Sequence, residues 1–193
     1  MGLQQTVAPT AYLWAESDIR EHLRIDHSEE DGYLRNLRES ATIEAENYLR
    51  RSLLAQTWRW TLDRFPPWEF TLPRNPVTAV SSITYVDSDG ATQTLSSSLY
   101  RLVTNGTPAR LEPVWGETWP TIRPITDAIT ITFTAGYGAA ASAVPMSIRQ
   151  AVLLIIEQHY DAYRGAGDQR RMQQRQMAIE RLLNPYRVKE FVS

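Results

Sequence analysis

The stretch VSSITYVDSDGATQTL, residues Val80 to Leu95, decides how the middle of the chain folds. Its first part, Val80–Val86, is rich in the β-branched residues that strands prefer. The next four residues, Asp87–Gly90, end in Asp-Gly, which is the strongest hairpin signal in the chain. Ala91–Leu95 then has the composition of a returning strand. We therefore predict a β hairpin at this point.

Strand signals extend from this hairpin in both directions. On its N-terminal side, QTWRWTLDRFPPWEFTL begins at Gln56 and alternates, so that Trp58, Trp60 and Leu62 share one face. On its C-terminal side, LYRLVT, ARLEPV and AITITFTAGYG read as further strands between turns. Short loops cannot form parallel crossovers. We predict six or seven short strands in one antiparallel sheet ending near Tyr137.

Helical patterns flank this β region. Before it, AESDIREHLRID predicts a short helix near Ala15–Ile25, after a flexible lead over residues 1–12. A long helix is predicted from Ser28 to Ser52, with Ser28 and Asp31 resembling a capping box. After the β region, PMSIRQAVLLIIEQHYDAYR, from Pro145, is apolar nearly all round and predicts a buried helix. A last helix, DQRRMQQRQMAIERLL, follows.

The predicted fold class is α+β. An α-helical core of about four helices covers residues 13–55 and 144–184, and an antiparallel β subdomain is inserted at 56–138. A C-terminal tail at 185–193 completes a single domain of 193 residues. Pro185 forbids continuation of the last helix, and the tail contains little apolar surface. We therefore expect residues 184–193 to be mobile in the free subunit.

Composition excludes several classes of protein. The formal net charge of −2 gives no overall attraction to nucleic acid or to a membrane surface. No apolar run approaches the roughly 20 residues that a membrane span requires. The chain contains no cysteine, which rules out disulfides, thiolate zinc sites and cysteine nucleophiles. The residues 1–14 lack the features of a signal peptide.

The sequence contains no recognisable catalytic or metal-binding pattern. His22 and His27 are five residues apart and lie on different helical faces, away from metal-ligand spacing. His159 lies on the buried helix, where a hydrogen-bonded histidine is the simpler interpretation. The acidic run Glu29–Asp31 suits the positive end of a helix dipole. TAGYGAA lacks the spacing of a phosphate-binding loop, and we interpret it as the end of a strand.

Tryptophans and charges suggest surfaces for contact. Trp68 and Trp119 stand in proline-flanked loops, where they either bind a partner or cover a sheet edge. The segment Glu16–Glu46 holds ten acidic residues against four arginines, and Arg164–Glu190 holds seven basic residues against three acidic ones. These runs either pair within one subunit or join neighbouring subunits. For the second case, the predicted interface residues are Glu29, Glu30, Arg170, Arg171 and Arg175.

A series of segments in this order resembles the head–tail connector (adaptor) proteins of tailed bacteriophages and of phage-like gene transfer agents. The segments are IREHLRID, QTWRWTLDRFP, LPRNPVTAVSSITYVDSDGATQTL, YRL, PARLEPVWGETWP, ITFTAGYG and VPMSIRQAVLLII. The resemblance covers about Ala15 to Val188. It implies a helical core with an inserted β subdomain, and a structural role in the virion without catalytic, cofactor or metal-binding residues.

The resemblance also implies partners and a location. Connector subunits form a ring, usually of twelve, beneath the portal protein at the head–tail junction, after assembly in the bacterial cytoplasm. The ring receives the stopper or tail completion protein, and DNA passes through its bore. By this resemblance the C-terminal tail contacts the portal, and the residues expected to do so are Tyr186, Arg187, Val188, Lys189 and Phe191. The loops expected to face the phage tail contain Trp68, Asp87, Asp89 and Trp119.

Two alternatives remain open at this point. A carbohydrate- or protein-binding module would use exposed tryptophans of the β subdomain. A small hydrolase would depend on a dispersed site that includes His159. Glycan binding by a monomer would favour the first alternative, and turnover lost on substitution of His159 would favour the second.

Overall fold

The computed structural model describes residues 2–165 and 168–188. The chain divides into two compact units, which we name the β unit (Met1–Pro9 and Ala55–Tyr137) and the helical unit (Thr10–Leu54 and Gly138–Ser193). The predicted α+β class is confirmed, with four α-helices and antiparallel sheets of five and three strands within the described part of the chain.

The helical unit contains the four α-helices. They are α1 (Glu16–Leu23), α2 (Asp31–Leu49), α3 (Met146–Tyr163) and α4 (Gln169–Leu183). Apolar residues at three- and four-residue spacing give α2 a buried stripe of Leu34, Leu37, Ala41, Ala45 and Leu49. Helix α3 is buried on several sides, as its sequence predicts, and it packs against α1, α2 and α4.

The ends of these helices have identifiable causes. Helix α4 is capped by Asp168, whose Oδ1 accepts from the Arg170 amide. The predicted capping box of α2 is wrong, because the helix begins at Asp31 after Glu30, without a side-chain cap. After α2, the buried Glu46 carboxylate accepts from the Leu53 amide at 2.8 Å and so fixes the chain where it leaves the helix.

The described residues of the β unit form eight strands. They are β1 (Gly2–Val7), β2 (Gln56–Leu62), β3 (Phe70–Thr71), β4 (Val77–Val86), β5 (Thr92–Thr94), β6 (Tyr100–Val103), β7 (Arg110–Pro113) and β8 (Ile129–Ala135). The order is β1-β2-β8-β4-β5 in the larger sheet and β3-β7-β6 in the smaller one. Two expectations are therefore wrong: there are two sheets and not one, and Gly2–Val7 is a paired edge strand and not a flexible lead.

Alternation gives the larger sheet one apolar and one polar face. A cross-strand row of Leu3, Trp60, Ile131 and Ile83 belongs to the apolar face. The adjacent row, Gly2, Thr61, Thr130, Thr84 and Thr94, runs through all five strands on the polar face. Side chains directly opposite each other share a face, so each row is continuous. Ile83 and Ile131 of this face form one core with Phe70 and Leu111 of the smaller sheet.

The hairpin of the opening stretch forms as predicted. The Gly90 amide donates to the Asp87 carbonyl at 3.0 Å, and the Asp87 amide donates to the Ala91 carbonyl at 2.9 Å. Gly90 has φ +91°, a conformation that only glycine adopts without strain. The loop is thus a turn followed by a left-handed glycine, a common hairpin connection.

Candidate functional site

An aromatic cluster of the β unit supports two loops, one that contains Trp68 and one that contains Trp115 and Trp119. The Phe65 and Trp119 rings are stacked, with centroids 4.8 Å apart and planes inclined by 3°. Trp119 also contacts Phe70 at 5.5 Å, and Phe70 contacts Trp60 at 5.9 Å. The Trp119 Nε1–H donates to the Trp68 carbonyl at 2.7 Å. Trp119 is therefore a structural residue that joins the two loops.

Two other tryptophans project into solvent from these loops. Trp68 is 79% exposed and Trp115 is fully exposed. They lie at the same end of the smaller sheet, because Phe70 pairs with Leu111 in an antiparallel ladder. Trp68 precedes one strand of that pair, and Trp115 follows the other. An indole in water on a packed support is a typical anchor for a protein partner.

Trp115 was missed as a site residue by the sequence analysis, although a signal for it exists. The Glu117 amide donates to the Val114 carbonyl at 2.9 Å, which closes a turn around Trp115 and Gly116. Gly116 has φ +87°, as the third position of a type II turn requires. A tryptophan before glycine at the centre of such a turn has little chance of burial, because both central residues point outward.

The two acidic residues predicted to face the phage tail lie in the hairpin loop. The Asp87 carboxylate accepts from the amides of Asp89 and Ala91 and from Gln93 Nε2, at 3.1, 2.9 and 2.8 Å. The bond from Gln93, followed by that from the Ala91 amide, holds the pKa of Asp87 below its usual value. Asp89 is exposed at the tip. This hairpin loop is adjacent to the loop that carries Trp115 and Trp119, because the Arg123 amide of that loop donates to the Val86 carbonyl at 3.0 Å.

The predicted interface charges fall into two groups. Glu29, Arg170 and Arg171 are exposed. Glu30 and Arg175 have partners within the helical unit: Glu30 Oε2 accepts from the Tyr160 hydroxyl at 2.6 Å, and Arg175 donates to Glu157 at 2.6 Å and pairs with Asp161 at 2.9 Å. Burial, followed by the bond to Glu30, raises the pKa of Tyr160.

The histidines also have partners within the helical unit. His22 Nε2 lies 3.2 Å from Glu157 Oε2, and His159 Nε2 lies 2.8 Å from Glu44 Oε2. Among the described residues, no group of three or more histidine, aspartate or glutamate side chains could hold a metal ion. Within residues 2–165 and 168–188, no helix has the length and apolarity to cross a membrane.

The first part of the C-terminal tail is docked on the helical unit. Asn184–Tyr186 forms a 3₁₀ turn, and the Val188 amide donates to the Leu49 carbonyl at 3.1 Å. Two side chains of the α2 end add contacts, from Tyr48 Oη to Asn184 Oδ1 at 2.6 Å and from Arg51 Nε to the Tyr186 carbonyl at 2.5 Å.

Val188 is buried, and the Arg187 guanidinium lies 5.0 Å from the Tyr48 ring centroid. The expectation that the whole segment 184–193 is mobile is therefore wrong for residues 184–188, which bind their own subunit. The few apolar side chains of the tail do not show that the Leu49 carbonyl and the Arg51 side chain at the end of α2 are available to bind it. Lys189 and Phe191 lie outside the described residues.

Comparisons with known proteins agree with this structure. The family model of the phage gp6-like head-tail connector protein matches residues 17–101. No curated protein matches the chain. The fold matches a chain in the neck of an empty gene transfer agent (GTA) particle computed with C6 symmetry, with a TM-score of 0.83 and 28% identity. That match covers 100% of this chain and 98% of the other.

Two further structures match over the same shares of both chains. One is the virion of a native GTA particle, with a TM-score of 0.82 and 26% identity. The other is the neck of a native GTA particle computed with C12 symmetry, with a TM-score of 0.77 and 27% identity. The predicted resemblance to head–tail connectors is confirmed, as are the structural, non-enzymatic role and the location in a virion neck.

Proposed function

We propose that this chain forms a ring of twelve identical subunits beneath the portal protein, which joins the DNA-filled head to the phage tail. The observation that carries the proposal is the fold match over the entire chain to subunits of a neck solved with C12 and with C6 symmetry. Cyclic symmetry of either order requires a ring in those particles.

The aromatic loops of the β unit are the surface that we propose for the stopper or tail completion protein. Trp68 and Trp115 would supply the anchors, and Trp119 would hold their loops in place through its stack on Phe65. Large aromatic side chains at the centre of an interface often carry most of the binding energy. Asp87 and Asp89 would lie at the rim of the same tail-facing side.

The proposed contacts with neighbouring subunits and with the portal involve the helical unit and its C-terminal tail. Glu29, Arg170 and Arg171 are proposed to join neighbouring subunits, since their side chains are exposed. The docked segment 184–188 would set the point from which the remaining tail, with Lys189 and Phe191, meets the portal. DNA would pass through the bore without tight binding, because a chain of net charge −2 offers little phosphate neutralisation.

Removing the gene in the cells that encode the chain tests this function. We expect DNA-filled heads and tails to accumulate unjoined, and a plasmid copy of the wild-type gene to restore joined particles, as counted by electron microscopy. The tagged wild-type chain should be found at the vertex between head and tail. Joined particles at the normal frequency in the deletion strain would contradict the proposal.

A further inference from the structure

The two outer strands of the larger sheet have unpaired edges with the same chemistry. Within the described residues, β1 pairs only with β2, and β5 pairs only with β4. The sequences of β1 and β5, GLQQTV and TQT, contain no charge and no proline. Every residue of both strands is exposed. Proteins commonly protect free edges with charges, prolines or bulges, because an open edge pairs with other strands.

The smaller sheet shows what a protected edge looks like in the same protein. Its edge strand β6 carries Arg101, which pairs with Glu112 of β7, and its other edge strand β3 has only two residues. In the described part of the larger sheet, the protective devices are the three-residue length of β5 and a register shift between Gln5 and Val7 of β1. The part of the β1 edge without a register shift is thus Gly2–Gln5.

The direction of the two edge strands fits a particular arrangement of copies. All four pairings in the larger sheet are antiparallel, so strand direction alternates across it and the first and fifth strands run the same way. A ring with cyclic symmetry joins two different surfaces of each subunit, one to each neighbour. The β1 edge and the β5 edge are two different surfaces whose strands run in the same direction, so they meet that requirement.

We propose that the β5 edge of one subunit pairs in parallel with the β1 edge of the next copy, so that backbone hydrogen bonds continue the sheet between subunits. This inference rests on the proposed ring and names one of its subunit contacts. The added strand would also cover Leu3, which lies on the apolar face and is 38% exposed. Strand addition of this kind derives its affinity from main-chain bonds and requires no particular side-chain charge.

Cysteine cross-linking tests the pairing without interference from natural thiols, since the chain has none. Gln4 lies on the polar face two residues from Gly2, and that face also presents Thr92 and Thr94. We would combine Gln4→Cys with Thr92→Cys in one variant and with Thr94→Cys in another, which samples two registers. Each variant would be expressed in the deletion strain, and its particles would be oxidised and separated on a non-reducing gel.

We expect at least one double variant to give a ladder of multiples of 22.1 kDa, whereas each single variant remains a monomer on the gel. The matched control combines Gln4→Cys with Gln93→Cys, because Gln93 pairs with Tyr85 and so points to the opposite face. That control should give no ladder. Dimers from Gln4→Cys alone would overturn the proposal, since they would require two β1 strands to meet.

Absence of a ladder from both double variants, in joined particles that contain the chain, would overturn the edge pairing and leave the proposed function intact. Absence of the wild-type chain from the particles would instead contradict the proposed function. If the cysteine variants do not enter particles, hydrogen exchange of the wild-type chain decides. The amides of Gly2–Gln5 and Thr92–Thr94 should exchange more slowly in particles than in the free subunit, and unchanged exchange at either edge would overturn the pairing.

Discussion

In the helical unit, two of the charged side chains that stand out in the sequence, Glu30 and Arg175, have partners within the subunit. In the β unit, the tryptophans that stand out divide between packed and solvent-exposed positions. Arg175 joins α4 to Glu157 and Asp161 of α3, and Tyr160 joins α3 to Glu30. In the β unit, Trp119 is stacked while Trp115, four residues earlier, is fully exposed.

This difference shows where surfaces for partners can be inferred. Part of a charge run on a helix finds partners on neighbouring helices, as Glu30 and Arg175 do, so the run alone does not tell which of its residues are available to an interface. An indole has fewer ways to be satisfied at a surface, because water cannot replace the contacts of its apolar ring. Fully exposed tryptophan and an unprotected strand edge are therefore stronger evidence for assembly than charges are.

The strongest test of this difference is to replace Trp119 and Trp115, which lie in one loop, separately by alanine. Trp119→Ala should lower the free energy of unfolding by about 2–3 kcal/mol, because it removes the stack on Phe65 and the hydrogen bond to Trp68. Trp115→Ala should change it by less than about 0.5 kcal/mol, since the ring is in solvent. Urea unfolding measures both values.

The same pair of variants also separates stability from function. Trp115→Ala should fold normally yet yield heads that fail to join phage tails in the complementation assay. Normal joining with Trp115→Ala would remove this residue from the proposed interface. Equal loss of stability in both variants would contradict the structural role of Trp119 and the exposed position of Trp115.

In the helical unit, the second comparison concerns two truncations of the C-terminal tail. Deleting residues 186–193 removes the buried Val188 and the bonds to Leu49 and Arg51, so we expect a loss of about 2–3 kcal/mol in urea unfolding. Deleting only 189–193 leaves all described contacts in place and should change stability by less than about 0.5 kcal/mol.

The shorter deletion tests the proposed portal contact. We expect its subunit to fold as the wild type does but not to attach to DNA-filled heads. Attachment at the wild-type level would exclude a required role for Lys189 and Phe191. Wild-type stability after the longer deletion would show that the segment 184–188 contributes no binding energy to its own subunit.

Local patterns predicted the fold where one signal dominated. Periodicity placed α2 and α3, and Asp89-Gly90 placed the hairpin, because helix stripes and turn conformations depend on nearby residues. The sequence did not reveal that Gly2–Val7 is a strand. Its partner β2 begins some fifty residues later, and both faces of β1 are exposed, so no alternation of apolar and polar residues marks it.

The candidate site was predictable to a smaller extent. Trp68 and Trp119 were chosen for their proline-flanked loops, but burial depends on long-range packing such as the stack on Phe65, which no local pattern contains. The partners of Glu30 and Arg175 could not be predicted either, because they lie on other helices and depend on long-range packing. Pairing between α3 and its neighbours is set by helix packing, whereas the sequence shows only that acidic and basic runs exist.

The smallest expected effect concerns the Asp87 carboxylate of the hairpin loop, whose pKa lies below its usual value. The Gln93 side chain, followed by the backbone amides of the loop, stabilises the charged form of Asp87. A folded pKa below the unfolded value means that the stabilisation is present in full above the unfolded pKa, about 3.9 for aspartate, and is lost as pH falls through the lower folded value. We therefore expect the hairpin to loosen only under acid, with little change in global stability.

Nuclear magnetic resonance of the Ala91 amide, which donates to Asp87 Oδ1, measures this directly. Its shift should titrate with a midpoint below the usual aspartate value in the wild type and in Asp89→Asn, because Asp89 contributes its backbone amide and not its carboxylate. In Asp87→Asn the titration should vanish while the turn persists, since an amide oxygen can still accept from Ala91. A midpoint at or above the usual value would show that the loop does not hold Asp87 charged.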